Sequence, residues 1–135
     1  MKQKPLMGDE LAALVAYRIQ RAKDTLKETD ILLHEGHYNA AVNRLYYACY
    51  YAVTALLVKN NIAAETHSGV KQMFSLHFVA AGKISKQYSI FYSRLFNDRI
   101  SGDYDDFVIY DREMLIEIRP KAEDFITSIE KLVNQ

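Results

Sequence analysis

The segment from Asn43 to Val58, NRLYYACYYAVTALLV, constrains the fold of this chain more than any other. From Leu45 onward it carries no charged residue, and its aliphatic, alanine and tyrosine side chains surround the whole circumference of a helix. A helix that is apolar on every side is a buried one. Because its fourteen uncharged residues are too few to span a bilayer, we predict the central helix of a bundle, with no membrane role.

Charge and cysteine content narrow the class of protein and its compartment. Seventeen basic residues balance seventeen acidic ones among the 135, so no global positive field recruits nucleic acid. The single cysteine, Cys49, lies inside the apolar segment and offers no disulfide framework. The N-terminal residues MKQKPLMGDE lack the apolar core of a signal peptide. We therefore expect one domain, located in the cytoplasm.

Apolar residues recur at helical spacing on both sides of the central segment. The predicted helices cover residues 9–34, 38–60, 68–81, 85–100 and 109–133, after a lead-in at residues 1–7. Gly36 suits the left-handed turn that closes the first helix, and Thr66 or Ser68 suits the cap of the third. Gly82 is predicted to end the third helix, and Ser85 to cap the fourth. The short first connection makes the first two helices antiparallel neighbours.

Two features interrupt the helical pattern towards the C-terminus. The sequence SGDYDDF, residues 101–107, is acidic and rich in turn-forming residues, which predicts a break between the last two helices. Pro120 lacks a backbone N–H, so we expect it to kink or split the last helix. No segment alternates with the period of a strand. The predicted fold is all-α, an up-and-down bundle of four to five helices.

Two arginines occupy positions that need an explanation. Arg99 lies on the apolar stripe of the fourth helix, where an unpaired guanidinium costs desolvation free energy. Arg44 shares a helical ridge with Tyr47 and Tyr51. Two guanidinium groups at the ends of core helices can bind a phosphate, since each offers a planar fork of donors. Alternatively, each pairs with an acid, for example Arg99 with Asp103, or extends into solvent.

The four histidines differ in their predicted surroundings. His34 and His37 flank the first turn and are expected to face solvent. His77 falls on the inner face of the third helix, where a core histidine is the expected role. His67 lies at the start of that helix. There it could cap the helix, bond a backbone carbonyl, or carry a proton near neutral pH.

The acidic turn Asp103-Tyr104-Asp105-Asp106 resembles a metal site only in composition. Its spacing matches no calcium loop and lacks the distal glutamate, so we expect no metal and no other cofactor. The chain also contains no glycine-rich phosphate loop, nucleophile elbow or paired-carboxylate motif. The ten tyrosines, with no tryptophan, indicate hydroxyl groups that find partners at the edge of the core.

Three segments resemble, in this order, the small stand-alone HEPN-domain proteins of bacteria and archaea. They are NRLYYACYYAVTALL, THSGVKQMFSLHF and FYSRLFNDRISGDYDDF. The resemblance covers about residues 36–107, with compatible helices on either side. It implies a single helical domain over residues 1–135 with a core at 9–133, usually a homodimer, and often a minimal nucleotidyltransferase as partner in a toxin–antitoxin pair.

The resemblance also implies candidate site residues. In active HEPN ribonucleases, an arginine followed a few residues later by a histidine cleaves RNA without a metal, and two protomers complete one cleft. Arg99 matches the arginine, whereas residues 103 to 105 are Asp, Tyr and Asp, so the pattern lacks its histidine. Asp103 beside an arginine would have a low pKa for a base, which leaves His67 as the substitute. By the same resemblance, Tyr104 could receive a nucleotidyl group from a neighbouring transferase.

Three functions are therefore open on the sequence. The first is a dimeric protein that binds RNA or a nucleotide through Arg44, Arg99, Tyr47 and Tyr104 and works with a nucleotidyltransferase. The second is a metal-independent ribonuclease toxin that uses Arg99 with Asp103 or His67. The third is a non-catalytic structural interaction module in which the arginines only close ion pairs.

Overall fold

The structure is a computed structural model that describes residues 8–104 and 109–135, with the backbone alone for residues 100–104. In these ranges the chain forms five α-helices and no strand. The helices are α1 Gly8–His34, α2 Tyr38–Lys59, α3 His67–Phe74, α4 Lys86–Tyr104 and α5 Arg112–Val133, with a π-helical turn Ser75–Val79 after α3. The predicted all-α bundle is confirmed. None of the described helices is long and apolar enough to cross a membrane.

Helix α2 is the centre of the bundle, as its sequence predicts. Twelve of its side chains are buried, from Ala41 to Leu57, and they point to all sides of the helix. The helices α1, α3, α4 and α5 all pack against it. Cys49 is completely buried among these side chains, and burial raises the pKa of its thiol. The thiol is therefore an inert part of the core.

The turn between α1 and α2 fixes how these two helices face each other. Gly36 has a φ of +80°, the left-handed conformation that glycine adopts without strain. The His37 N–H donates to the Leu32 carbonyl across the turn at 2.9 Å. The resulting antiparallel hairpin brings residues that are equally distant from Gly36 in sequence opposite each other.

The third helical region departs from the sequence prediction. The predicted cap is confirmed, because the Thr66 side chain accepts a hydrogen bond from the Gly69 N–H at 2.9 Å. However, α3 ends at Phe74 and continues as the π-helical turn, not as one α-helix to residue 81. The wider turn rotates His77 outward, so the prediction of a core histidine is wrong and His77 is exposed. His34 and His37 are exposed as expected.

The last two helices also differ from their predicted bounds. Helix α4 extends to Tyr104, so the predicted break at residue 101 is wrong for residues 101–104, while residues 105–107 lie outside the described range. Helix α5 begins later than predicted, where the Asp111 carboxylate accepts the Met114 N–H at 2.9 Å. The helix is not split at Pro120. Both Pro120 and Ile116, whose carbonyl loses its donor, are exposed, so water can satisfy that group.

Candidate functional site

Four tyrosines of α2 form one aromatic surface, which we call the tyrosine face: Tyr46, Tyr47, Tyr50 and Tyr51. Their positions place them in two adjacent rows along the helix. The ring centroids are 5.3 Å apart for the pair 46–47, 6.0 Å for 47–50 and 5.9 Å for 50–51. The first ring is completely buried, whereas the other three are half-buried. Three aromatic rings are therefore partly open to a ligand.

Helix α4 directs Arg99 onto this surface. The Arg99 Nη2 atom donates to the Tyr47 hydroxyl at 3.0 Å. The guanidinium carbon lies 5.5 Å from the Tyr47 ring centroid and 5.7 Å from that of Tyr46. These are cation–π distances, so the rings offset part of the cost of removing the charge from water.

Arg44 reaches the same ring from within α2. Its guanidinium carbon lies 4.9 Å from the Tyr47 ring centroid, and its Nη1 atom is 3.6 Å from Glu28 Oε2. The structure thus brings Arg44, Arg99 and Tyr47 together. It also gives Arg44 an acidic partner, Glu28. For Arg44, the structure therefore shows both the approach to Arg99 and the ion pair that the alternative prediction described.

His67 joins the tyrosine face from the start of α3. Its Nδ1 atom is 2.8 Å from the Tyr46 hydroxyl, and its ring centroid is 4.5 Å from that of Tyr50. Burial, and then the positive charge of Arg99, lower the pKa of His67. Since the ordinary value for histidine is about 6.5, the imidazole is neutral at pH 7.

The partner of Nδ1 decides what a neutral His67 can do. Burial raises the pKa of Tyr46 to about 12, so its hydroxyl stays protonated and can donate a hydrogen bond to Nδ1 of His67. The ring proton is then on Nε2, as we infer from this hydrogen bond. In this tautomer, His67 presents a hydrogen-bond donor to a ligand and has no free lone pair to act as a base.

The hydrogen bond between Tyr46 and His67 can be tested through the pKa of His67. Replacing Tyr46 with Phe removes a donor that stabilises the neutral imidazole, so the pKa of His67 is expected to rise. If Nδ1 were the donor instead, the bond would stabilise the charged form and the same change would lower the pKa. NMR titration of the imidazole signals measures the shift. A pKa of His67 at or above about 6.5 in the unmodified protein would contradict the account of its surroundings.

Two residues that the resemblance singled out lie at the C-terminal end of α4. Asp103 and Tyr104 belong to the last turn of α4, and their side chains lie outside the described residues. Asp103 follows Arg99 by four positions, one helical turn. Within the described residues, no group of three or more His, Cys, Asp or Glu side chains could hold a metal ion.

Two residues of α1, Arg21 and Glu28, lie beside the tyrosine face and Arg44, and neither was predicted there from the sequence. Arg21 places its guanidinium carbon 5.2 Å from the Tyr51 ring centroid, and the Glu28 carboxylate lies between Arg21 and Arg44. The sequence did contain a signal for both. Glu28 and Arg44 each lie eight residues from Gly36, and Arg21 and Tyr51 each lie fifteen, which in an antiparallel hairpin makes them opposite pairs.

Another polar residue missed from the sequence is Asp98, next to Arg99 on α4. Burial raises the pKa of its carboxyl group, and the charge of Arg94, whose Nε is 3.8 Å from Asp98 Oδ2, opposes the shift. Asp98 and Arg94 thus form a separate pair beside the site. A groove of about 530 Å³, lined by Leu11, Val15 and Val133, lies elsewhere on the molecule.

Comparison with known proteins shows the family of the chain. A family model described as HEPN domain matches residues 15–132. A Thermotoga maritima protein named "UPF0332 protein" is 38% identical over 125 residues, covering 93% of this chain and 95% of the relative. The Methanocaldococcus jannaschii protein named "Putative toxin MJ0605" is 30% identical over 128 residues, covering 88% of this chain and 96% of its own length. The resemblance predicted from three segments is confirmed, and the chain belongs to the HEPN domain family.

Proposed function

We propose that this HEPN protein binds RNA or a nucleotide, with a phosphate held between Arg44 and Arg99 and a base or ribose against Tyr47. The observation that carries the proposal is the meeting of two guanidinium groups over one half-buried ring, at 4.9 and 5.5 Å from its centroid. Each guanidinium offers donors in a fork that matches phosphate oxygens. The exposed part of the ring offers a stacking surface to any base.

The local charge supports this proposal in spite of the neutral total. Three arginines lie around the tyrosine face at cation–π distance from its rings: Arg21, Arg44 and Arg99. His67 adds an Nε2 donor beside them. Among the described residues, Glu28 is an acidic group in this cluster, and it is shared between two of the arginines. Basic groups interleaved with aromatic rings are typical of surfaces that bind single-stranded nucleic acid.

Dimerisation and a partner enzyme complete the proposal. Relatives whose names read "Putative toxin" support a role in a toxin–antitoxin pair. In the proposed pair, two protomers of this chain assemble in the cytoplasm and work with a nucleotidyltransferase. Tyr104, in the last turn of α4, is the proposed acceptor: its hydroxyl oxygen takes a nucleotidyl group from a nucleoside triphosphate, pyrophosphate leaves, and the hydroxyl proton is released. Mass spectrometry of the chain co-expressed with the proposed nucleotidyltransferase would detect the added mass on the peptide that contains Tyr104.

Cleavage of RNA is the second candidate, and the names of the toxin relatives favour it. It requires a base for the 2′-hydroxyl proton, and the inferred tautomer of His67 does not supply one. Asp103 is the remaining candidate. Incubation of RNA in EDTA with the protein, and with Arg99→Ala as control, separates binding from cleavage. RNA that stays intact in both samples removes the ribonuclease candidate.

Binding itself is tested by fluorescence anisotropy with a labelled single-stranded RNA. We expect saturable binding at low salt that weakens as salt is added. The logarithm of the affinity should fall with a slope of about −0.7 for each phosphate contacted, against the logarithm of salt concentration. An absence of binding to RNA and to nucleoside phosphates at low salt, where phosphate contacts are strongest, would overturn the proposal.

A further inference from the structure

We propose that the site continues past Arg44 to Arg21 and Tyr51, and that the Glu28 carboxylate occupies the position of a second phosphate of a single-stranded RNA. This inference rests on the proposed function, which supplies the first phosphate at Arg44 and Arg99. It adds a path for the bound strand, which runs along α2 from Tyr47 to Tyr51 and reaches Arg21 on α1. It also assigns Glu28 the role of an internal competitor that the strand displaces.

The geometry around Glu28 is that of an anion held by two cations. Its Oε2 atom is 3.6 Å from Arg44 Nη1, and its Oε1 atom is 3.9 Å from Arg21 Nη1. All three side chains are accessible, with 44% of the glutamate, 38% of Arg21 and 29% of Arg44 exposed. A phosphodiester carries the same single negative charge, shared by two non-bridging oxygens as it is in a carboxylate. It can therefore bind where the carboxylate binds now.

The arrangement at this second position repeats the arrangement at the first. A guanidinium carbon lies 5.2 Å from the Tyr51 centroid, as another lies 4.9 Å from that of Tyr47. The two tyrosines are one helical turn apart, and their ring centroids are 6.2 Å from each other. A cation beside an aromatic ring thus occurs twice along α2. Such a repeat fits a ligand whose own groups alternate between phosphate and base.

The ligand that fits is a single strand, because stacking on tyrosine requires bases that are not paired. Displacing Glu28 costs little, since an ion pair between exposed side chains contributes little free energy. The carboxylate would instead lower affinity for short ligands that cannot reach Arg21. Glu28 therefore favours a strand over a mononucleotide.

Removal of the competitor is the first test. Glu28→Gln keeps the size of the side chain and removes its charge, so affinity for a labelled oligouridine of about ten nucleotides should rise roughly two- to fivefold. Glu117→Gln is the matched control, because Glu117 also bridges two cations, Arg94 and Lys121, each at 3.3 Å. We expect no change in the control. Equal affinities of Glu28→Gln and the unmodified protein would overturn the role of Glu28.

Removal of the second cation is the second test. Arg21→Ala should lower affinity for the oligouridine about tenfold and affinity for uridine monophosphate by a much smaller factor, because only the longer ligand reaches Arg21. Lys23→Ala is the control, because Lys23 lies on the same helix and is paired with Glu130 at 2.8 Å. Tyr51→Ala should weaken oligouridine binding, and a duplex of equal length should bind more weakly than the single strand.

The outcomes separate this inference from the function on which it rests. If uridine monophosphate and oligouridine bind equally well, or if Arg21→Ala weakens neither, the extension to Arg21 is wrong and the site at Arg44 and Arg99 stands. A duplex that binds as tightly as the single strand overturns the stacking of bases on Tyr51. If neither probe binds the unmodified protein, both proposals fail.

Discussion

Replacing Arg99 with Ala is expected to lower affinity for single-stranded RNA by roughly ten- to a hundredfold at low salt. Hydrogen bonds to a charged group contribute about 1.5–3 kcal/mol each, and Arg99 also holds the Tyr47 hydroxyl at 3.0 Å, which fixes the ring for stacking. The loss should be smaller for Arg99→Lys, which keeps the charge and loses the fork. Fluorescence anisotropy with labelled RNA measures the affinity of the unmodified protein, of Arg99→Ala and of Arg99→Lys.

The control for this prediction is Arg94→Ala on the same helix. Arg94 is paired with Glu117 at 3.3 Å and with Asp98 at 3.8 Å. Its replacement by alanine therefore removes one positive charge from α4, as Arg99→Ala does, but outside the site. Melting temperatures of both variants show whether the fold is intact. If Arg99→Ala lowers the melting temperature and binds RNA as well as the unmodified protein, Arg99 serves stability alone. The structural-module interpretation would then replace the binding one.

Replacing Phe125 with Ala is expected to destabilise the fold by about 3–5 kcal/mol, the largest effect that we predict. The Phe125 side chain is completely buried on α5. Its ring is stacked on Tyr92 at 5.6 Å, with an interplanar angle of 9°, and meets the edge of Phe74 at 5.8 Å. It therefore joins three helices around α2. Truncation removes these contacts and leaves a cavity that the surrounding helices cannot fill.

Urea unfolding followed by circular dichroism measures this loss, and we expect the melting temperature to fall by about 10 °C or more. Ile116→Ala on the same helix is the control, because 45% of Ile116 is exposed. Its effect should stay within about 0.5 kcal/mol. A loss below about 1 kcal/mol for Phe125→Ala would contradict the packing of α5 against the core.

The fold was predictable where burial leaves a strong signal in the sequence. The uncharged segment of α2 could only be a buried helix, and the short connection at Gly36 could only make α1 its antiparallel neighbour. The π-helical turn was not predictable. Its wider turn places His77 outward. Neither the apolar spacing nor a glycine or proline in this segment indicates that a π-helical turn forms there. Likewise, α4 continues through Gly102, a residue that normally favours a helix end.

The site was predictable only in part, and for a physical reason. Arg44 and Tyr47 are neighbours on one helix, so local spacing predicts their contact. The pairing of Glu28 with Arg44 follows from the hairpin. The contact between His67 and Tyr46, in contrast, depends on how α3 crosses α2 after a loop. No spacing within the sequence encodes that crossing, so only the structure brings the histidine to the tyrosine face.

The most direct test of a shared phosphate site is a double-mutant cycle on Arg44 and Arg99. RNA affinity is measured by anisotropy at low salt for Arg44→Ala, Arg99→Ala and the double variant. If both arginines hold one phosphate over Tyr47, loss of either weakens the contact of the other, and the double variant should lose less than the two single losses combined, by about 1 kcal/mol. Losses that add within about 0.3 kcal/mol would mean that the two guanidinium groups act on separate ligand groups, and would contradict the account.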